Sequence, residues 1–450
     1  MIVGGRLQRA CFSTWPTIGV APLRWSRAFS GSASRREIRD IAELPDRLLP
    51  KYHETESNDL LSLQWPAPPR NIFIVKKEGV PTVRDAVIEF AKHISTTYPS
   101  LSIILESHVA SDLHEELPFP VYAVGANNTG AALDTAMAQV QQKVDLTTTL
   151  GGDGTILHAS SLFASTSSVP PILAFSMGTL GFLGEWKFQE YKRAFREVYM
   201  SGAAAGYGSS LLEPERPSLD QGNATPPSTH WSSLRGKSMG PGRGARVLLR
   251  NRLKVGVFSA RGERISGDDN TVSSENDIYA MNEISIHRGK EPHLAIVEVF
   301  VGGRFLTEAV ADGMIISTPT GSTAYSLSSG GSIVHPLVSS LLLTPICPRS
   351  LSFRPLVLPG NTQVTLRLSE KNRGREVEVS IDGVRRTRGV GVGMEVRVWG
   401  EEVKRPDGQW KGGVPSIMRG TGGHEANGDD GWVGGLNGLL KFNYPFGEEQ

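Results

Sequence analysis

Short apolar runs alternate with segments of helical period throughout residues 70–205, and this alternation limits the fold of that part of the chain more than any other feature. The apolar runs lie at residues 71–75, 101–105, 121–124, 144–150 and 171–175. Helical segments follow them from Pro81, Asn128 and Thr155 and over residues 188–200, and Pro81 occupies the first-turn position that proline favours. Strands that alternate with helices predict a parallel sheet covered by helices. We therefore predict an α/β domain over residues 70–205.

The chain changes character after that domain. Residues 206–245 are rich in Ser, Pro and Gly without a hydrophobic period, so we predict a disordered insert there. Residues 246–406 contain short strand-like runs without long helices, which predicts a β-sandwich. We expect the Gly-rich residues 407–430 to be disordered and the apolar residues 431–450 to dock. The predicted fold class is α/β plus all-β, with an N-terminal parallel α/β domain, a β-sandwich and a C-terminal segment that returns to the first domain.

Residues 1–36 contain six arginines and no acidic residue, and acidic residues begin at Glu37. This composition is typical of a mitochondrial transit peptide, so we predict location in the mitochondrial matrix; a disordered basic tail is the alternative. The other residues include 41 basic and 46 acidic side chains, which argues against a nucleic-acid-binding protein, because such proteins neutralise phosphates. No apolar run is long enough to span a membrane, and two cysteines exclude a disulfide framework.

A glycine-rich loop, Gly151-Gly152-Asp153-Gly154, joins a predicted strand to the helix that begins near Thr155. Glycines let the backbone approach a ligand, and the start of a helix offers free N–H groups to phosphate. Asp153 adds a carboxylate that can orient a metal ion or accept a proton from a hydroxyl. We predict a phosphate-binding loop, although a tight turn uses the same residue types. Lipid kinases and phosphofructokinases also carry such sequences, so the loop alone does not name a substrate.

A second polar segment runs from Asp312 to Ser332, and nine hydroxyl side chains and three glycines lie between Thr318 and Ser332. Hydroxyl groups and bare backbone can hydrogen-bond sugars and phosphates, and Tyr325 can stack on a flat ring. These features predict a dinucleotide site, and a solvated loop is the alternative.

A third signal is the polar pair Asn282-Glu283, which interrupts an apolar strand. Side chains on a strand alternate between its two faces, so one of the pair is expected to face the core or a cleft. We predict that one of them meets a ligand or partner, and a polar pair at a sheet edge is the alternative.

Taken together, these three motifs resemble those of the NAD kinase family, which phosphorylates the adenosine-ribose 2′-hydroxyl of NAD(H). The matching residues are Gly151 to Thr155, Asn282-Glu283 and Thr318 to Tyr325, and the run from Gly178 to Leu183 is similar to a further family element near the nicotinamide. The basic start and the long insert resemble the fungal mitochondrial subgroup, the NADH kinases.

The resemblance implies that Asp153 is the base that takes the proton from the 2′-hydroxyl. It also implies ATP as donor, Mg²⁺ or another divalent cation whose ligands we do not assign, and a homodimer or homotetramer. The residues implied to bind the phosphates and the dinucleotide are Gly151, Gly152, Gly154, Thr155, Phe182, Asn282, Glu283, Asp312, Thr320, Ser322, Thr323, Ala324, Tyr325 and Ser328.

Two other functions stay open at this point: a lipid kinase of the diacylglycerol or sphingosine type, and an inactive nucleotide-binding regulator. The first would need an apolar cleft where this chain has hydroxyls, and the second would have no need of a carboxylate beside phosphate. The chain departs from many family members at Val384, where glutamine is common after Asp-Gly, and at Ala311, where Gly or Arg is common.

Overall fold

A parallel α/β half and a half made of two antiparallel sheets form the chain in the computed structural model, which agrees with the predicted fold class. The structure describes residues 36–55, 58–123, 131–178, 181–184, 186–202, 244–265, 278–404 and 408–419, together with Trp432, Leu436 and Leu440. Within these residues one sheet has eleven strands and two sheets have seven each.

The first sheet carries the α/β half. Its strands are β1 (Ile38–Asp40), β2 (Lys51–Thr55), β3 (Asn58–Gln64), β4 (Asn71–Lys76), β5 (Ser102–Leu105), β6 (Val121–Ala123), β7 (Leu146–Leu150), β8 (Ile172–Ser176), β9 (Trp186–Lys187), β10 (Arg246–Arg250) and β25 (Val414–Met418). They are ordered β1-β6-β5-β4-β7-β8-β25-β10-β3-β2, with β9 beside β8. Strands β1, β6, β5, β4, β7 and β8 run parallel, whereas β10, β3 and β2 add antiparallel pairs.

The α-helices of the described residues are α1 (Pro81–Thr97), α2 (Ser107–Leu113), α3 (Ala131–Lys143), α4 (Asp153–Ser161), α5 (Tyr191–Tyr199) and α6 (Tyr325–Ser328). Single 3₁₀ turns lie at Ile41–Glu43, His114–Glu116, Phe188–Glu190 and Thr320–Thr323. Helix α1 begins at the predicted proline and buries Val83, Val87 and Phe90 on one face. The Phe90 ring contacts Phe175 of β8 edge-on, with ring centroids 5.8 Å apart, and this apolar stripe holds the helix on the sheet. No helix in the described part of the chain is long and apolar enough to cross a membrane.

Two antiparallel sheets pack on each other in the second half. The second sheet contains β11 (Leu253–Phe258), β12 (Arg264–Ile265), β13 (Ile278–Ala280), β15 (Ala295–Val301), β16 (Arg304–Ala311), β20 (Val364–Leu368) and β24 (Glu395–Gly400). The third sheet contains β14 (Glu283–His287), β17 (Gly313–Ser317), β18 (Ser340–Ile346), β19 (Leu356–Pro359), β21 (Glu376–Ile381), β22 (Val384–Arg385) and β23 (Val390–Gly391). One buried cluster holds Val255 and Val297 of the second sheet with Ile284 and Met314 of the third, as a sandwich core requires.

The boundary between the halves differs from the sequence prediction. Strand β10 belongs to the first sheet, although residue 246 was predicted to open the β-sandwich. The chain then crosses between the sheets at Asn251 and Arg252, inside what looks like one apolar run. Strand β25 lies within residues that were predicted to be disordered. Its five residues are buried between β8 and β10, and the glycines on both sides of it hide the strand pattern in the sequence. The hairpin β2–β3 also extends the first sheet ahead of residue 70.

The predicted terminal and inserted segments fall largely outside the described residues. These segments are residues 1–35, residues 206–243 and most of residues 420–450. In the last segment Trp432 is helical, and its ring lies 4.6 Å from the ring of His335, which follows α6 in the second half. Strand β25 returns the chain to the first sheet, and the ring contact of Trp432 joins the predicted docking segment to the second half.

Candidate active site

The glycine-rich loop lies at the carboxyl end of β7, beside the point where the strand order reverses. Strands β4, β5 and β6 proceed along the sheet in one direction, and β7 and β8 lie on the other side of β4. A crevice for ligands forms at such a switch point in open α/β sheets. A Cβ atom at Gly151 would lie 2.2 Å from Oγ1 of the buried Thr155, so packing requires glycine there. Gly152 and Gly154 are exposed with no atom within 4 Å of an added Cβ, so a ligand has room to approach the backbone at both positions.

The Asp153 carboxylate is held by the loop that follows β8. Its Oδ2 accepts a hydrogen bond from the N–H of Phe182 at 2.9 Å, and its Oδ1 accepts one from the N–H of Leu183 at 3.1 Å. A Cβ atom at Gly181 would lie 2.1 Å from Oδ1 of Asp153, so a side chain at 181 would displace the carboxylate. Each carboxylate oxygen keeps a further lone pair, and Asp153 can therefore accept a hydrogen bond from a substrate hydroxyl without leaving this position.

The Asn282-Glu283 pair lies at the start of β14, whose first residue is Glu283, and its backbone is held by the Asp382 carboxylate. Asp382 accepts hydrogen bonds from the N–H groups of Met281 at 2.8 Å, Asn282 at 2.7 Å and Glu283 at 3.1 Å. Asp382 has a φ of 47°, in the left-handed region, which Asp and Asn adopt more readily than most residues other than glycine. The turn after β21 thus fixes the backbone on which both predicted ligand-binding side chains stand.

Both side chains of the pair are buried, each with a relative exposure of 6%. Asn282 Oδ1 and Glu283 Oε2 find no hydrogen-bond partner among the described residues. Burial first, and then the charge of Asp382, raises the pKa of Glu283 from near 4.5 to about 7. Because unpaired buried oxygens cost free energy, this pair is prepared to receive hydrogen-bond donors from a ligand.

The hydroxyl-rich segment packs directly against the same pair. Thr318 Oγ1 donates to the carbonyl of Met281 at 2.6 Å, and the Thr318 N–H donates to the carbonyl of Asn282 at 2.9 Å. A Cβ atom at Gly321 would lie 2.2 Å from the Asn282 carbonyl oxygen, so only glycine permits this contact. The Tyr325 backbone lies near the Glu283 carboxylate and partly offsets the rise of its pKa. The structure therefore brings two of the three predicted motifs into one unit.

Several hydroxyls predicted to bind the dinucleotide are used within the segment. Ser322 is fully buried, and its Oγ donates to the carbonyl of Pro319 at 2.6 Å and accepts from the N–H of Val334 at 3.0 Å. Thr323 Oγ1 donates to the carbonyl of Thr320 at 3.2 Å. Ala324 is half-buried and Ser328 is exposed. Ser328 thus remains accessible to a ligand, whereas Ser322 serves to shape the loop.

The Tyr325 side chain lies within electrostatic range of Asp312, which directly precedes β17. The Tyr325 side chain is exposed, and partial burial followed by the charges of Cys347, Asp312 and Glu283 raises its pKa. Asp312 pairs with Arg288, with 2.5 Å between Oδ1 and Nε. Any contact between Asp312 and a dinucleotide would therefore include that arginine, which the sequence did not indicate.

The first and second halves of the site meet through a mixed apolar cluster. Met281, directly before the Asn282-Glu283 pair, is buried in the same cluster as Ile156 of α4 and Leu183. Arg250 at the end of β10 also reaches Phe182 and Thr320, one in each half. These contacts connect the glycine-rich loop and the loop after β8 with the two polar motifs of the second half.

Arg250 and Asp382 were not predicted as site residues from the sequence, and Gly181 was named only within the run from Gly178 to Leu183. An Asp-Gly turn after a strand is a signal that could have indicated Asp382, but its three hydrogen bonds depend on a strand about a hundred residues away in the sequence. Gly181 and Arg250 gain their roles only from the neighbours that the fold supplies.

Comparisons with known proteins agree with this arrangement. Residues 72–203 match the model of the ATP-NAD kinase N-terminal domain, and residues 281–403 match that of the ATP-NAD kinase C-terminal domain. The chain is 38% identical over 423 residues to "NADH kinase pos5, mitochondrial" of Schizosaccharomyces pombe, covering 92% of this chain and 88% of that protein. It is 32% identical to "NADH kinase POS5, mitochondrial" of Saccharomyces cerevisiae, covering 94% and 95% of the two chains.

A solved structure is similar over nearly the whole chain as well. The crystal structure of yeast NADH kinase complexed with NADH superimposes with a TM-score of 0.70 at 32% identity, over 93% of this chain and all of that one. With both domain models matched in order and relatives aligned along most of its length, the chain belongs to the ATP-NAD kinase family and is an NAD(H) kinase.

Proposed function

We propose that this NAD(H) kinase transfers the terminal phosphate of ATP to the 2′-hydroxyl of the adenosine ribose of NADH or NAD⁺, in mitochondria, with Asp153 as the base. The observation that carries the proposal is the Asp153 carboxylate, which two peptide N–H groups hold in place and which lies between the exposed glycines Gly152 and Gly154. The names of the two fungal relatives support NADH as the preferred acceptor and mitochondria as the location.

Phosphoryl transfer needs positioning and charge neutralisation more than a covalent nucleophile. In our proposal the open peptide groups of Gly152 and Gly154 bind phosphate oxygens, and Asp153 accepts the proton of the ribose hydroxyl as that oxygen attacks. Asn282 and Glu283 offer unpaired oxygens to hydroxyl or N–H groups of the dinucleotide. These polar groups favour a dinucleotide over the lipid substrate that the sequence left open, and the relatives reported above lend the lipid-kinase alternative no support.

The residues present fit a divalent cation that arrives with ATP. The described residues contain no cluster of three or more His, Cys, Asp or Glu side chains arranged to hold a metal ion. Mg²⁺ in kinases is bound by one or two carboxylates and by substrate phosphates, and Asp153 is the carboxylate beside the phosphate loop. When bound, the cation would neutralise charge on the transferred phosphate.

The proposal also includes location in the mitochondrial matrix, a cleavable transit peptide within residues 1–36, and assembly as a homodimer or homotetramer.

Initial rates with ATP and Mg²⁺ on NADH and NAD⁺, measured side by side, test the activity. Product should be phosphorylated at the 2′-position, and the NADH rate should exceed the NAD⁺ rate. We expect Asp153→Asn to lower kcat by about a hundredfold or more while NADH still binds, the usual scale for a catalytic base. Asp85→Asn, on the exposed side of α1, is the matched control. A fully active Asp153→Asn enzyme would remove Asp153 from the role of base.

A further inference from the structure

Arg250 is a buried cation at the junction of the two domains. It is the last residue of β10, the chain crosses to the second sheet directly after it, and its relative exposure is 2%. Placing a guanidinium in such a position costs free energy unless hydrogen bonds compensate. The guanidinium of Arg250 therefore needs hydrogen-bond acceptors at this junction.

The donors of Arg250 reach three separate segments. Nε donates to Ser416 Oγ of β25 at 3.1 Å, Nη1 to Thr320 Oγ1 at 3.4 Å, and Nη2 to the carbonyl oxygen of Phe182 at 3.5 Å. One contact is to the sheet, one to the second-half loop and one to the loop after β8. Because the guanidinium is planar and rigid, these three contacts fix the segments relative to one another.

Phe182 is the residue through which Arg250 can act on the reacting groups. Its N–H donates to the Asp153 carboxylate, and its carbonyl accepts from Arg250. Thr320, on the other side, begins the turn whose Gly321 contacts the carbonyl of Asn282. Arg250 therefore stands between the group that supports the carboxylate and the loop that adjoins the dinucleotide-binding pair.

We propose that Arg250 is a positioning residue for phosphoryl transfer, which sets the Asp153 carboxylate and the Thr320 turn at the distance that the reaction needs. The inference rests on the function proposed above. Arg250 touches neither substrate in this account and acts through Phe182 and Thr320. A misplacement of about 1 Å in a catalytic group can cost up to about a hundredfold in rate, so the effect of losing this link should fall on kcat.

The test is a double-mutant cycle of Arg250→Lys and Thr320→Val. Lysine keeps the positive charge but lacks the rigid fork, and valine keeps the shape of threonine but lacks the acceptor. Rates with saturating ATP, Mg²⁺ and NADH are divided by the number of NADH-binding sites, counted by titration of NADH fluorescence. Arg246→Met is the matched control, since Arg246 lies on the same face of the same strand, four residues nearer its start.

We expect Arg250→Lys to lower kcat per binding site by about tenfold to a hundredfold and to leave the NADH dissociation constant within about threefold. The double variant should be within about twofold of the slower single variant, because both changes break one link. Arg246→Met should keep the wild-type kcat. Wild-type kcat per site in Arg250→Lys, with only a lower thermal stability, would overturn the proposal, and so would effects that multiply in the double variant. A wild-type enzyme without NADH kinase activity would instead refute the proposed function.

Discussion

The α/β half of the site and the β-sandwich half differ in whether their side-chain oxygens have hydrogen-bond donors. Asp153 has a peptide N–H on each oxygen, whereas Glu283 and Asn282 each keep a buried oxygen without a partner among the described residues. The first arrangement is complete before any ligand binds. The second carries an unfavourable free energy that a bound donor would relieve. The comparison fits our proposal that the α/β half fixes the reacting group and that the sandwich half binds the substrate.

Gly181→Ala should lower the rate more than any of the substitutions in the sandwich half, because it displaces the carboxylate of the α/β half. The new methyl group would overlap Asp153 Oδ1, which lies 2.1 Å from the added Cβ atom, and would push the carboxylate from its two N–H donors. We expect kcat to fall by about a hundredfold, with NADH affinity changed much less. Steady-state kinetics with a parallel NADH titration would check this. Gly152→Ala is the comparison variant, because it adds the same methyl group in open space within the phosphate loop. Gly79→Ala would be a poor control, because Gly79 has a positive φ that strains any side chain. An unimpaired kcat in Gly181→Ala would break the contrast between the halves.

The buried carboxylate of Glu283 lowers the stability of the folded chain when it is ionised. Burial raises the pKa of Glu283 to about 7, so the folded chain binds a proton more tightly than the unfolded chain does. Its contribution to stability is therefore full below about pH 4.5 and is lost as the pH rises through about 7. Glu283→Gln removes the ionisable group, and we expect the free energy of unfolding at pH 8 to rise by about 2 kcal/mol relative to wild type while NADH binding weakens.

Urea unfolding at pH 5 and pH 8 measures this effect. The two proteins should differ less at pH 5, where the wild-type side chain is mostly protonated. If Glu283→Gln is destabilised equally at both pH values, the carboxylate is not strained in the absence of ligand, and the second half of the comparison fails.

The support beneath the pair offers a smaller effect. In Asp382→Asn, one of three backbone N–H groups faces an amide donor instead of a carboxylate oxygen, so the Met281 to Glu283 segment should shift. We expect the dissociation constant for NADH to rise by about tenfold, the value of one charged hydrogen bond. Asp112→Asn, on the exposed surface of α2, should leave NADH binding unchanged. Equal affinities in Asp382→Asn and wild type would show that the turn after β21 does not position the pair.

Local sequence patterns account for the geometry of the α/β half of the site more fully than for that of the sandwich half, and the reason is physical. The Gly151 loop and α4 are contiguous, so strand, turn and helix patterns place Asp153 without knowledge of distant contacts. The pair at 282 and 283 depends on Asp382, whose role needs a pairing of β14 with β21 that no local pattern specifies. Strand β25 was missed for the same reason, since its partners β8 and β10 lie far away in the sequence.

The hydroxyl segment contains the smallest predicted effects, and a pair of serines separates its two uses. Ser322 is buried and bonded to Pro319 and Val334, whereas Ser328 is exposed. Ser322→Ala leaves the Val334 N–H without its acceptor, so we expect the free energy of unfolding to fall by about 1 kcal/mol while NADH affinity changes little. Ser328→Ala should leave stability unchanged and raise the KM for NADH by at most about threefold, because a solvent-accessible hydrogen bond contributes little. Thermal denaturation and KM measured on both variants distinguish these outcomes. The reverse result, a stability loss at 328 or a selective KM effect at 322, would mean that the segment exposes a different set of hydroxyls to the substrate.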